Sequence, residues 1–158
     1  MNMNDPIASL LGSWSTELNL YSVLLRVAVS VVFAAIIGCE RASKRHAAGQ
    51  RTFILVSLAS TVAMMLDKSF AGTSMPLISA AAVIAIAIIS SNSILYSSKN
   101  QIKGLTTSVA LWMCGIIGLT IGAGLYTVSV IGYAALMCCL ALFPTFEIDL
   151  KNRSNHFE

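Results

Sequence analysis

Apolar residues fall in five long runs, at about residues 20–39, 53–66, 76–96, 105–121 and 125–143, and nearly every charged side chain lies in the gaps between them. A helix of roughly 20 apolar residues crosses the roughly 30 Å of bilayer hydrocarbon, and only helices or closed barrels satisfy their own backbones there. The runs are continuous and do not alternate with period two, so they predict helices. The expected fold is all-α: a membrane protein of five transmembrane helices forming one domain over residues 20–146, followed by a cytoplasmic tail at 147–158. The run at 53–66 is short for a bilayer, which implies little tilt, local thinning or burial among other helices. Ahead of the runs, residues 1–19 hold Asp5-Pro6, a cap and first helical position, then Ile7, Leu10, Leu11, Trp14 and Leu18 at helical spacing. Two readings of this segment stand: a short interfacial helix with Trp14 at head-group level, or a frayed polar terminus.

Composition narrows the class. The chain is 56% hydrophobic and 11% charged, against about 25% charged in soluble domains. Its net charge of +3 comes from bases in the loops, so acidic lipid head groups rather than nucleic acid are the expected counter-charge. Four Lys or Arg residues fall at 41–51 and two at 98–104, whereas the intervening loops hold Lys68 and none. That bias places the N-terminus outside and the C-terminus in the cytoplasm. Cys39, Cys114, Cys138 and Cys139 show no metal-binding or disulfide spacing. The first 21 residues carry Asp5 and Glu17 but no base, so no signal peptide is expected.

The candidate chemistry sits where the pattern breaks. Glu40 to Thr52 (ERASKRHAAGQRT) is a charged island between two apolar runs. Glu40 ends the first run, where a helix dipole repels a carboxylate, so it needs a cation: Arg41, Arg51 or Lys103. Both runs that leave this side begin alike, Gly49-Gln50-Arg51-Thr52 and Lys103-Gly104-Leu105-Thr106-Thr107. Two such helix starts would form either an anion site, for phosphate or the Glu40 carboxylate, or a pair of ordinary caps. Arg26 is the one charge well inside a run. At a helix centre it would cost roughly 2.5–3.5 kcal/mol, so it either faces the bundle or snorkels to the interface. Ser90, Ser91, Asn92 and Ser93 put four polar residues inside the third run, as interhelical glue or as the lining of a wet cavity. Gly118 and Gly122 give a small-residue face for close packing or self-association.

Taken together, Arg26, Gly38-x-Glu40-Arg41, Ala48-Gly49-x-Arg51-Thr52, Lys103-Gly104-Leu105-Thr106-Thr107 with Leu111-Trp112, and Gly118-x-x-x-Gly122-Ala123-Gly124-Leu125-Tyr126 resemble the MgtC/SapB family of bacterial inner-membrane proteins. The resemblance covers about three quarters of the chain. It departs where that family has a glycine-rich third span and this chain reads Ala85 to Ile94, AIAIISSNSI, and the soluble C-terminal domain of longer members is absent from the sequence. The resemblance implies a role in magnesium homeostasis or stress adaptation, exercised by contact with membrane partners such as the F-type ATP synthase. The residues add no nucleotide loop, paired catalytic carboxylates, cofactor motif or metal cluster, so an enzyme is not expected. The competing class is a small transporter or channel using Arg26, Glu40, Asp67 and the Ser90–Ser93 stretch, with Glu40 and Asp67 on opposite faces.

Overall fold

The computed structural model describes residues 5–12, 18–43, 48–70, 77–92, 94–97 and 101–154. Its elements are α1 (Pro6–Leu11), α2 (Leu20–Ser43), α3 (Gln50–Ser69), α4 (Leu77–Ser91), the two short strands β1 (Leu95–Ser97) and β2 (Gln101–Lys103), α5 (Leu105–Ala123) and α6 (Tyr126–Ser154). Among the described residues the fold is all-α apart from that one hairpin. Helices α2, α3 and α5 are each long and apolar enough to cross a membrane, while α4 and the apolar part of α6, Tyr126–Ala141, are shorter.

Polarity in α2 is turned inside out relative to a soluble helix. Its buried stripe is Ser22, Arg26, Ser30, Ala34, Ile37, Gly38 and Arg41, at helical spacing, while Leu24, Val32 and Ile36 are exposed. In lipid the apolar face has no reason to hide, and small or polar residues mark the helix contacts instead. The same logic joins α3 to α5. A Cβ at Gly118 would stand 2.5 Å from the Ser57 carbonyl oxygen, and one at Gly122 2.5 Å from that of Thr61. These two glycines let α5 lie directly against α3, and both pairs show the helices running parallel. The glycine face is therefore covered within the chain, which leaves self-association without that support. Helix α6 returns antiparallel after a turn at Gly124 (φ 77°), and Tyr133 stacks on Phe33 of α2 with centroids 4.5 Å apart.

Two elements depart from the sequence expectation. The third apolar run does not continue to residue 96: α4 stops at Ser91 after 15 residues, a rise of about 22 Å. Ser90 and Ser91 donate to the carbonyls of Ala87 (3.0 Å) and Ile88 (2.7 Å) in their own last turn, as hydroxyls that compete with the helix do. The chain then enters the hairpin, with Tyr96 opposite Ile102. The fifth helix, in contrast, does not stop near Pro144 but runs on to Ser154. The expected Trp14 anchor lies outside the described residues, as do Lys44, Arg45 and His46. Asp5 does cap α1, accepting the Ile7 N–H at 3.1 Å.

Candidate functional site

Two buried arginines mark opposite ends of the bundle. Arg26 is 0% exposed, so it faces inward and does not snorkel. Its Nη1 donates to the Gly122 carbonyl at 2.8 Å, in the last turn of α5, and the Lys68 Nζ donates to the next carbonyl, Ala123. A helix C-terminus presents unsatisfied carbonyls and a negative dipole end, so two cations there supply both donors and charge. Carboxylates cover the neighbouring helix starts. Asp67 accepts the N–H groups of Ile78 (3.0 Å) and Ser79 (2.6 Å) at the start of α4. Asp5 accepts the Thr127 N–H at 3.2 Å and is also bonded by the Thr127 hydroxyl, at the start of α6.

At the other end Arg41 is 2% exposed. Its Nε and Nη2 donate to the two Glu40 carboxylate oxygens at 2.5 and 3.1 Å, so the adjacent candidate cation, Arg41, holds Glu40. Nη2 also reaches the Leu140 carbonyl at 3.4 Å. That carbonyl would normally accept the N–H of residue 144, and Pro144 has none. Arg41 supplies the missing donor, which helps explain how α6 passes through a proline without ending. The rest of the island is described only in part. Arg51 is exposed on the first turn of α3, beside the half-buried Thr52, whose N–H donates to Gly49 at 3.1 Å. Thr106 is exposed and Thr107 buried on the first turn of α5. Lys103 lies in β2, and its side chain is outside the description.

Between the ends the interior divides into two layers. Near Arg26, Ser30 Oγ and Ser57 Oγ are 2.9 Å apart. Thr61 Oγ1 stands 2.9 Å from Ser30 Oγ, 2.9 Å from the Ser57 carbonyl and 3.0 Å from that of Gly118, three acceptors for one proton. These hydroxyls, absent from the sequence-based candidates, knit α2, α3 and α5 together. Toward Arg41 they give way to Ala34, Ile37, Phe53, Leu111 and Cys114, all 1% exposed or less, with Cys114 Sγ 3.7 Å from the Phe53 carbonyl. Ser90, Ser91 and Asn92 take no part in this knot. Ser90 and Ser91 bond within α4, Ser91 and Asn92 are exposed, and the Asn92 N–H donates to Ile89 at 3.3 Å; Ser93 lies outside the described residues.

Comparison with known proteins places the chain in a family. A sequence model of the MgtC family matches residues 27–148. The chain is 28% identical over 144 residues to YhiD of Escherichia coli (strain K12), whose name proposes a magnesium transporter; the match takes in 85% of this chain and 66% of that protein. It is 29% identical over 136 residues to protein SrpB of Synechococcus elongatus, covering 77% of this chain and 75% of SrpB. With protein MgtC of Brucella abortus (strain 2308) it shares 27% over 142 residues, covering 78% and 60%. The chain thus spans just under two thirds of the length of YhiD. No solved structure matches it.

Proposed function

Because the chain belongs to the MgtC family, we propose that it is a multi-pass protein of the bacterial inner membrane that serves magnesium homeostasis or stress adaptation by contact with another membrane protein, without a catalytic step. The F-type ATP synthase is the first candidate partner. The orientation that goes with this reading has the Arg41 end, and the C-terminus, in the cytoplasm, in keeping with the basic loops.

The observation that carries the contact reading is the apolar layer of Ala34, Ile37, Phe53, Leu111 and Cys114. It fills the interior between the two polar ends, while the hydroxyls below it are spent on one another and on backbone carbonyls. A hydrated ion crossing there would meet no replacement oxygens, and magnesium dehydrates reluctantly. Among the described residues no three His, Cys, Asp or Glu side chains form a set that could hold a metal ion. Outside, α4 and α6 present Ile84, Ile88, Ile89, Val130 and Ile131 exposed, a surface for lipid or for a partner's helices. Transport is the second reading, favoured by the name of YhiD. A photo-cross-linking residue at Ile88 or Ile131 in cells grown at limiting magnesium tests the first. A discrete adduct with one membrane protein is expected, and lipid adducts alone at both positions would overturn it.

A further inference from the structure

Helices α3 and α5 lie parallel and in close contact, so their dipoles point the same way and their N-termini share one end. Their N-caps are Gly49 and Gly104, which have no side chain to cap with, and among the described residues neither start has a side-chain cap hydrogen bond. Each N-terminus carries about half a positive charge and several N–H groups without intrahelical acceptors. At the far end the opposite charge is answered, by Arg26 and Lys68 on the α5 carbonyls. At the near end, the one carboxylate whose side chain is described is Glu40, and Arg41 already holds it.

A second observation points to what is missing. Thr107 is 0% exposed, and its hydroxyl has no hydrogen-bond partner among the described residues. Buried hydroxyls are nearly always paired, and an unpaired one costs free energy. Thr107 is the third residue of α5. A helical Cβ tilts toward the N-terminus, so this side chain leans back over the uncapped first turn. Gly104, Leu105 and Thr106 leave that turn open from outside. The Arg26–Gly122 contact sets the register of the antiparallel α2 and α5, and fifteen residues along each from there stand Arg41 and Thr107. A buried guanidinium thus lies at the same level and adds to the positive field.

We propose that the first turn of α5, with the Thr107 hydroxyl beneath it and the parallel start of α3 beside it, binds a phosphate-type oxyanion, free or on a lipid head group. The N–H groups of the first turn and the Thr106 hydroxyl donate from the open side, and Thr107 gains the acceptor it lacks. This reading is independent of whether the protein conducts a solute or works by contact.

The test uses the full chain in phosphatidylcholine nanodiscs, with the melting temperature followed against inorganic phosphate and, separately, against added phosphatidic acid. A rise with inorganic phosphate assigns the site to the free anion, and a rise with phosphatidic acid alone assigns it to a head group. Thr107→Val keeps the shape and removes the hydroxyl. It should melt higher than the parent without ligand, since it deletes a buried unpaired group, yet bind the active anion about tenfold more weakly. Ser43→Ala, which removes an exposed hydroxyl bonded only to its own helix at the same end, should leave affinity within about twofold. No rise with either anion would overturn the proposal. So would a rise abolished by added sodium chloride and untouched by Thr107→Val, which would mean diffuse surface attraction.

Discussion

At one end of the bundle Arg26 gives its guanidinium to a backbone carbonyl, Gly122, whereas at the other Arg41 gives its to the carboxylate of Glu40 and reaches the Leu140 carbonyl only at 3.4 Å. The first acceptor belongs to a helix fixed by backbone contact at Gly118 and Gly122. The second is a rotatable side chain, and Glu40 keeps 15% of its side chain exposed. The Arg26 end is therefore a clamp, and the Arg41 end is the one that can exchange partners. The exchangeable end also carries the uncapped helix starts and the proline-containing stretch of α6. Any regulation is thus expected to act there, with the clamp holding the bundle constant beneath it.

The largest effect should come from breaking the clamp by force. Gly122→Leu has no room against the Thr61 carbonyl, and a loss of about 3 kcal/mol or more is expected in thermal unfolding. Gly132→Ala would meet only Ile117 at an ordinary 3.8 Å and should stay within about 0.5 kcal/mol. Next comes the contrast itself. Arg26→Lys should cost about 2 kcal/mol, because an ammonium cannot reproduce the planar fork in a site closed to water. Arg41→Lys should cost about half as much, since Glu40 and water remain within reach. Equal losses at both positions would erase the distinction between clamp and exchangeable pair. Smaller in stability but sharper in function is Glu40→Gln, which keeps an acceptor for Arg41 and should cost about 1 kcal/mol. It should still impair growth at limiting magnesium more than Lys44→Gln or Arg45→Gln, at equal protein level. Ser91→Ala should be nearly silent, within about 0.5 kcal/mol, because its hydroxyl bonds only its own helix.

Much of this was legible in the residues. The apolar runs located all five long helices, and Arg26 shares one face with Ser22 and Ser30 at four-residue spacing, a pattern that points inward. What could not be read were partners made of backbone. The Gly122 carbonyl and the Leu140 carbonyl leave no side-chain signature, so the acceptor of Arg26 and the link between Arg41 and Pro144 appear only in three dimensions. The glycine face was visible, but sequence does not say whether α3 or a second copy covers it. The polar stretch that begins at Ser90 is ambiguous for a related reason: consecutive polar residues fit a wet helix as well as a helix end, and only the local hydrogen bonds and the strand after them show that α4 ends at Ser91. Asp5 was recognised as a cap for α1, while its second role, 122 residues away on Thr127, has no local signal at all.

The orientation of the two ends can be read from single cysteines in a background lacking the native four. An impermeant reagent applied outside should label Ser74→Cys and not Ser43→Cys. Labelling of Ser43→Cys from outside would invert the assignment of the Arg41 end to the cytoplasm.

The central claim, that this bundle is sealed between its ends and works by contact, meets its most direct test in magnesium flux into proteoliposomes containing the purified full chain. Uptake no faster than in protein-free liposomes is expected, with and without a membrane potential. Saturable uptake that scales with protein and is lost in Arg26→Lys would contradict it and establish a conducting path through the Ala34, Phe53 and Leu111 layer.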